Sequence, residues 1–316
     1  MASSDKKFVP VMITPFNLKM QVDHDVLSVL VDFYLEAGVK GFFANCLSSE
    51  MFSISEDERI ATTRFIVEQV NGRVPIVATG SFGLTLEDKA DFTKKIHDTG
   101  IDAAIMITGH FANLEDDDSV LLDHFHRMFD LTGDIPLGMY ECPAPYKRIL
   151  GADTFREIVS SGRMIYHKDT SIKPEWIQAK LDVLKELGDP RFEFFDAHSP
   201  NAMTSLQAGA RGMSSIAGNF YPEILVWMCN NATDPAKQEE VKWLQSEIAR
   251  VDPLIHQAYP MSAKYFLRKR GLPIRTISRT HVLELTPEQK QVLDGIYNDF
   301  LSWCDRLGIK PVTVDA

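Results

Sequence analysis

Lys168 is the residue around which chemistry can be built, because it closes the apolar, alternating stretch Met164-Ile-Tyr-His-Lys-Asp-Thr-Ser171. Period-2 geometry puts Met164, Tyr166 and Lys168 on one face of a strand, with the lysine last. An amine held at a strand end inside an apolar enclosure loses the solvation that favours its ammonium form. Its pKa then falls from about 10.4 toward roughly 7 to 8, where the free amine attacks ketones and forms a Schiff base. A lysine that merely reaches solvent beside Asp169 would do none of this. Asp169, Thr170 and Ser171 are expected to stop the strand and cap a helix beginning near Lys173.

Two more strand ends carry candidate groups. In Ile135-Pro-Leu-Gly-Met-Tyr-Glu-Cys-Pro143, Gly138 and Tyr140 share a face, so a phenol can project over an active-site mouth with no bulk beneath it. Core packing is the bland alternative for that tyrosine. At Asn45-Cys-Leu-Ser-Ser-Glu50, the hydroxyls of Ser48 and Ser49 and the turn amides could hold a small carboxylate, although serines in loops are usually only loop. Two other clusters lead nowhere. The histidines of Asp123-His-Phe-His126 lie two apart on a helix and point to different sides, which disfavours chelation. Glu115-Asp-Asp-Asp118 suits the positive end of the following helix and lacks the spaced ligands and glycine of a calcium loop. The expectation is chemistry with no metal and no organic cofactor.

The elements that must position these groups alternate. Short apolar runs at 8–13, 41–45, 74–79, 103–107, 135–140, 164–168, 192–196 and 212–216 make eight candidate strands. Helical patterns at 25–37, 56–70, 86–99, 120–131, 153–160 and 175–187 fall between them. Several open after Ser, Thr or Asp and close near Gly. Eight units in the first 222 residues predict a closed (β/α)8 TIM barrel, whose functional groups gather at the carboxyl ends of the strands. A doubly wound open sheet is the runner-up, disfavoured because no G-x-G-x-x-G turn and no P-loop is present. Residues 223–316 read as helices only, at 223–230, 235–251, 262–270 and 287–307, and are expected to form a C-terminal helical extension packed on the barrel.

Composition narrows the partners. With 316 residues, 45% hydrophobic and 24% charged, the chain can bury a full core. A net charge of −11 argues against nucleic acid and anionic membrane surfaces. Four scattered cysteines without a C-x-x-C pair, a polar start and no membrane-spanning apolar stretch predict a soluble protein in the reducing cytoplasm.

Taken in order, these motifs resemble the dihydrodipicolinate synthase and N-acetylneuraminate lyase family of class I, Schiff-base aldolases. Phe8-Val-Pro-Val-Met-Ile-Thr-Pro-Phe16 is similar to the family's opening strand, and Cys46-Leu-Ser-Ser-Glu50 stands where the family has G-T-T-G-E. Tyr140-Glu-Cys-Pro143 resembles Y-N-x-P, and Lys168-Asp-Thr-Ser171 resembles K-[DE]-x-[ST]. Ala208-Gly-Ala-Arg-Gly212 with Asn219 resembles the eighth-strand motif, and Pro260-Met-Ser-Ala-Lys264 a segment of the helical tail. The resemblance implies that Lys168 condenses with pyruvate or another 2-keto acid and Tyr140 moves the proton. It implies that Ser48 and Ser49 grip the carboxylate and that Thr170 meets the rest of the substrate. A homotetramer with an aldehyde as second substrate is also implied.

Departures limit the name. Pro145 stands where the synthases place an arginine for a second carboxylate, with Lys147 and Arg148 close by. Gly109-His-Phe111 replaces the P-Y-Y segment that lends a tyrosine across the subunit interface, so the hydroxyl relay is broken or rebuilt. Leu47 and Ser49 replace a threonine and a glycine, while Pro200 and Ile216 replace polar residues of the neuraminate lyases. The expectation is an aldolase, or a related dehydratase, for an unassigned 2-keto acid. Asp196, His198 and Ser214 are candidates for its distal end. The competing readings are dihydrodipicolinate synthase itself and a noncatalytic barrel that binds a sugar acid. The joint presence of Lys168 and Tyr140 favours an enzyme.

Overall fold

The computed structural model describes residues 6–280 and 284–314. Its strands are β1 (Lys7–Phe8), β2 (Phe42–Phe43), β3 (Ile76–Thr79), β4 (Ala103–Ile107), β5 (Leu137–Tyr140), β6 (Met164–Asp169), β7 (Glu193–Asp196) and β8 (Gly212–Met213). All pair in parallel, in the order β1-β8-β7-β6-β5-β4-β3-β2. The ends of that row meet. Val11 bridges Phe43 in parallel, the Met12 amide donating to the Phe43 carbonyl at 3.1 Å and the Phe43 amide to the Pro10 carbonyl at 3.0 Å. The sheet is therefore a closed barrel with no exposed edge.

Around it run α1 (His24–Glu36), α2 (Glu56–Val70), α3 (Leu86–His97), α4 (Asp118–Thr132), α5 (Ala152–Ser160), α6 (Pro174–Leu187), α7 (Ala202–Ala208) and α8 (Pro222–Asn231). Ser55 with Glu58 and Thr85 with Asp88 form reciprocal capping boxes at the starts of α2 and α3. Apolar side chains sort into two layers. Val9, Val11, Phe43, Ile105, Ile107, Tyr140, Tyr166 and Phe195 fill the barrel interior. Leu30, Phe42, Met106, Met139, Phe194 and Met213 join the larger layer between strands and helices.

Three expectations need correction. Helix α7 has only seven residues, too short for its periodicity to register in the sequence. Helix α8 packs against β1 and β8 and closes the outer ring, so the boundary after residue 222 falls one helix too early. Nor do Asp169, Thr170 and Ser171 cap α6. The amide and hydroxyl of Ser171 turn back to the Asp169 carboxylate at 2.8 and 2.6 Å, and Lys173 precedes Pro174 at the helix start without a side-chain cap.

The extension consists of α9 (Gln238–Ile255), α10 (Met261–Lys269) and α11 (Pro287–Leu307). Two buried ionic anchors tie it to the barrel. Arg270 grips Glu223 through both guanidinium ends and also donates to the carbonyls of Phe220 and Val312. Glu50, in a left-handed conformation after β2 at φ 58°, accepts from Lys264 Nζ at 2.7 Å and Ser278 Oγ at 2.8 Å. It also accepts from the amides of Arg279 and Thr280 at 2.6 and 3.0 Å. The extension thereby fixes the loop that carries Ser48. No helix among the described residues is long and apolar enough to cross a membrane. Replacing Glu50 by Ala would leave the buried Lys264 ammonium unpaired, and chemical denaturation should register a loss of about 3–5 kcal/mol.

Candidate active site

Tyr140 and Lys168 are register partners on β5 and β6, both last in their strands to face inward. Parallel neighbours lie about 4.8 Å apart, so register alone sets phenol and amine side by side. The Lys168 amine sits 4.5 Å from the centre of the Tyr140 ring and 5.6 Å from that of Phe43. It is 4% exposed, and no carboxylate forms an ion pair with it among the described residues. Burial therefore dominates and brings its pKa down from 10.5 to about 8. A drop of that size raises the free-amine fraction near neutral pH roughly 300-fold.

Gly138 makes the approach possible, though not by leaving space. A Cβ there would come within 2.6 Å of Ile105 Cδ1 and 2.8 Å of Tyr166 Cβ, so neighbouring side chains already fill the volume below Tyr140. Burial pushes the Tyr140 phenol well above its ordinary pKa, and its hydroxyl faces the Cys142 thiol. It is therefore held in its protonated form.

Above these two residues opens a cavity of about 400 Å³. Ser48, Thr170, Ser214 and His198 line it, together with Leu47, Lys147, Ile216, Tyr259 and Thr280. Burial lowers the pKa of His198, favouring the neutral ring. Two sequence candidates are not brought to this cavity. The Ser49 hydroxyl lies behind the loop with the Met12 and Ala44 carbonyls at 2.8 and 2.9 Å, and its amide is spent on Cys46 inside the turn. Asp196 alternates outward from β7, fully buried, where Ser205 Oγ donates at 2.5 Å and the His198 amide at 2.8 Å. Burial raises the Asp196 carboxyl to about 7.

Behind the catalytic face lies a group that the sequence did not reveal. Lys180, from α6, reaches between β5 and β6 to bind Glu141 and, at 2.6 Å, Asp169. Glu141 also receives the amides of Leu150 at 2.9 Å and Thr170 at 3.0 Å, while Thr170 Oγ1 donates to the Glu141 carbonyl at 2.5 Å. His167 stands 3.7 Å from both carboxylates. Glu141, His167 and Asp169 have the spacing of metal ligands, but the Lys180 ammonium already lies between the two carboxylates. Burial alone would raise the Asp169 carboxyl, yet His167 and Lys180 hold it far below its ordinary value. The same carboxylates reverse the effect of burial on Lys180 and raise its pKa.

The Dihydrodipicolinate synthetase family matches residues 5–298. The chain belongs to this family. The 4-hydroxy-tetrahydrodipicolinate synthase of Bacillus subtilis is 25% identical over 91% of this chain and 97% of its own length. That of Oceanobacillus iheyensis is 23% identical over 93% and 97%. Among solved structures, a prophage protein of the dihydrodipicolinic acid synthase family from E. coli K12, in complex with pyruvate, superposes with a TM-score of 0.84. It shares 20% identity, covering 94% of this chain and 98% of that one.

Against the family pattern, the departures now have places. Phe111 is buried against Phe125, and its neighbour His110 turns to Ser81, so this loop presents no tyrosine hydroxyl. Arg148 is spent on Asn113, Asp116 and Asp118, whereas Lys147 reaches the cavity and donates to the Thr170 carbonyl at 2.6 Å. Tyr259 and Thr280 went unseen because they come from the extension, although Tyr259 directly precedes the family-like Pro260 segment.

Lys180→Met should cost about 3–5 kcal/mol near neutral pH by leaving two carboxylates facing each other unneutralised. Because Lys180 lowers the Asp169 pKa, its contribution is present above the unfolded carboxylate range and lost as pH falls. Denaturation midpoints of variant and wild type should therefore converge toward acid pH.

Proposed function

We propose that the protein is a class I lyase that forms a Schiff base between Lys168 and pyruvate or another 2-keto acid. One observation carries this reading: a buried, carboxylate-free amine with its pKa at about 8, set by strand register beside a buried phenol. The Lys168 amine attacks the keto carbon C2, water leaves, and the resulting iminium accepts the electron pair of the C3–C4 bond as that bond breaks, giving the C2=C3 enamine. In the cleaving direction Tyr140 passes on the proton released as the substrate hydroxyl becomes an aldehyde, and in the forming direction it returns that proton. Dehydration of a 2-keto-3-deoxy sugar acid uses the same iminium: C3 loses a proton to give the enamine, whose electron pair then expels the protonated C4 hydroxyl as water. Ser48 meets the keto acid's carboxylate, while Thr170, Ser214 and His198 face the remainder of the substrate.

Synthase activity on aspartate semialdehyde is the weaker reading, since Pro145 replaces the arginine and Phe111 lies in the core. Lys147 leaves one cation for an anionic distal group. The working form is a cytoplasmic homotetramer, supported by the family expectation and by Leu84 and Leu114, which are 95% and 65% exposed. The substrates are small molecules, with no role for nucleic acid or membrane.

Intact mass after incubation with pyruvate and borohydride tests the reading. Wild type should gain one reduced pyruvate per chain, and Lys168→Ala none. Tyr140→Phe should still be trapped at high pyruvate but form its adduct about 10²-fold more slowly or worse. Labelling of Lys168→Ala to the same extent, or no labelling of wild type by pyruvate or by longer 2-keto acids, would overturn the reading.

A further inference from the structure

The loop after β2 holds one hydroxyl at the cavity, Ser48, where the family pattern has two threonines. Leu47 is apolar, Ser49 faces away, and Glu50 is an anion whose oxygens are occupied by four donors. Lys264, the nearest buried cation of the extension, is committed to Glu50 and the Ile277 carbonyl. Beyond Ser48 and the loop's own amides, a keto-acid carboxylate brought here takes any further side-chain donor from another segment.

Tyr259 stands at that place, between α9 and α10, lining the cavity with its hydroxyl facing that of Ser48. Its orientation is imposed by Asn219. Asn219 Nδ2 has two hydrogens and two acceptors, the Val11 carbonyl at 2.9 Å and the Tyr259 oxygen at 2.7 Å. A carbonyl can only accept, which fixes the amide's orientation, and Asn219 Oδ1 in turn accepts from the Tyr34 hydroxyl. The Tyr259 oxygen is thus an acceptor from behind, and its own proton must point forward, toward Ser48 and the cavity. Asn219 is fully buried, as is Tyr34, so the Tyr34–Asn219–Tyr259 chain is a rigid mount and not a surface contact. Burial also keeps the Tyr259 phenol protonated, a donor throughout the working pH range.

We propose that Tyr259, supplied within the same chain by the helical extension, is the second hydroxyl donor to the substrate's carboxylate, paired with Ser48. This rests on the keto-acid reading above and adds a residue to it. Two hydroxyls converging on one carboxylate make charge-assisted bonds that an uncharged ester cannot match.

The test is Tyr259→Phe, which keeps the ring and removes only the oxygen. Half-saturating concentrations for borohydride trapping are measured with pyruvate and with its uncharged methyl ester. Wild type should prefer pyruvate, and Tyr259→Phe should lose affinity for pyruvate on the order of tenfold or more while binding the ester nearly as before. Asn219→Leu, which releases the mount, should shift the same ratio in the same direction. If Tyr259→Phe leaves the ratio unchanged, or weakens both ligands equally, the assignment is wrong while the Schiff base stands. If wild type traps neither ligand, the keto-acid reading itself fails.

Discussion

A lysine amine kept from water with no carboxylate to neutralise it is the constraint on which this structure turns. Stability favours pairing such a group, and the fold does so for two of its other buried lysines. Lys180 lies between Glu141 and Asp169, and Lys264 lies against Glu50. Lys89, also buried, donates to the Leu84 carbonyl at 3.1 Å, whereas Lys168 faces aromatic rings and the cavity. Ion pairing raises the pKa of Lys180, whereas burial without pairing lowers that of Lys168.

Holding an unpaired amine in place requires rigidity from elsewhere, and the buried Glu141–Asp169–Lys180 group supplies it. Glu141 follows Tyr140 and Asp169 follows Lys168, so strand alternation sends Tyr140 and Lys168 inward and their neighbours outward. One ammonium from α6 then clamps both outward carboxylates. Thr170, two residues beyond Lys168, is held to Glu141 by both its amide and its hydroxyl. The mouth is thus braced from behind by charges that do not line the cavity.

Much of this was legible in the sequence because it follows from short-range rules. Eight apolar runs gave the strands, the capping residues Ser55 and Thr85 gave the helix starts, and alternation placed Lys168 and Tyr140 inward. What escaped depends on distant contacts. Lys180 reads as an ordinary helix lysine until α6 is laid on β5 and β6. Tyr259 reads as a loop aromatic until the extension folds over the barrel mouth. Asp196 and Ser49 misled for a simpler reason: each lies at a strand end or loop of the right address, but one alternates outward and the other spends its hydroxyl on backbone carbonyls.

The state of the Lys168 amine can be measured without knowing the substrate. Titration of ¹³C-labelled lysine side chains by NMR, with the Lys168 signal assigned from its absence in Lys168→Arg, reads that state directly. A midpoint at about 8 is expected for Lys168, well below the ordinary lysine value. A midpoint at the ordinary value near 10.5 would mean that the amine is solvated or paired, and would contradict the claim that this barrel is built around a nucleophilic lysine.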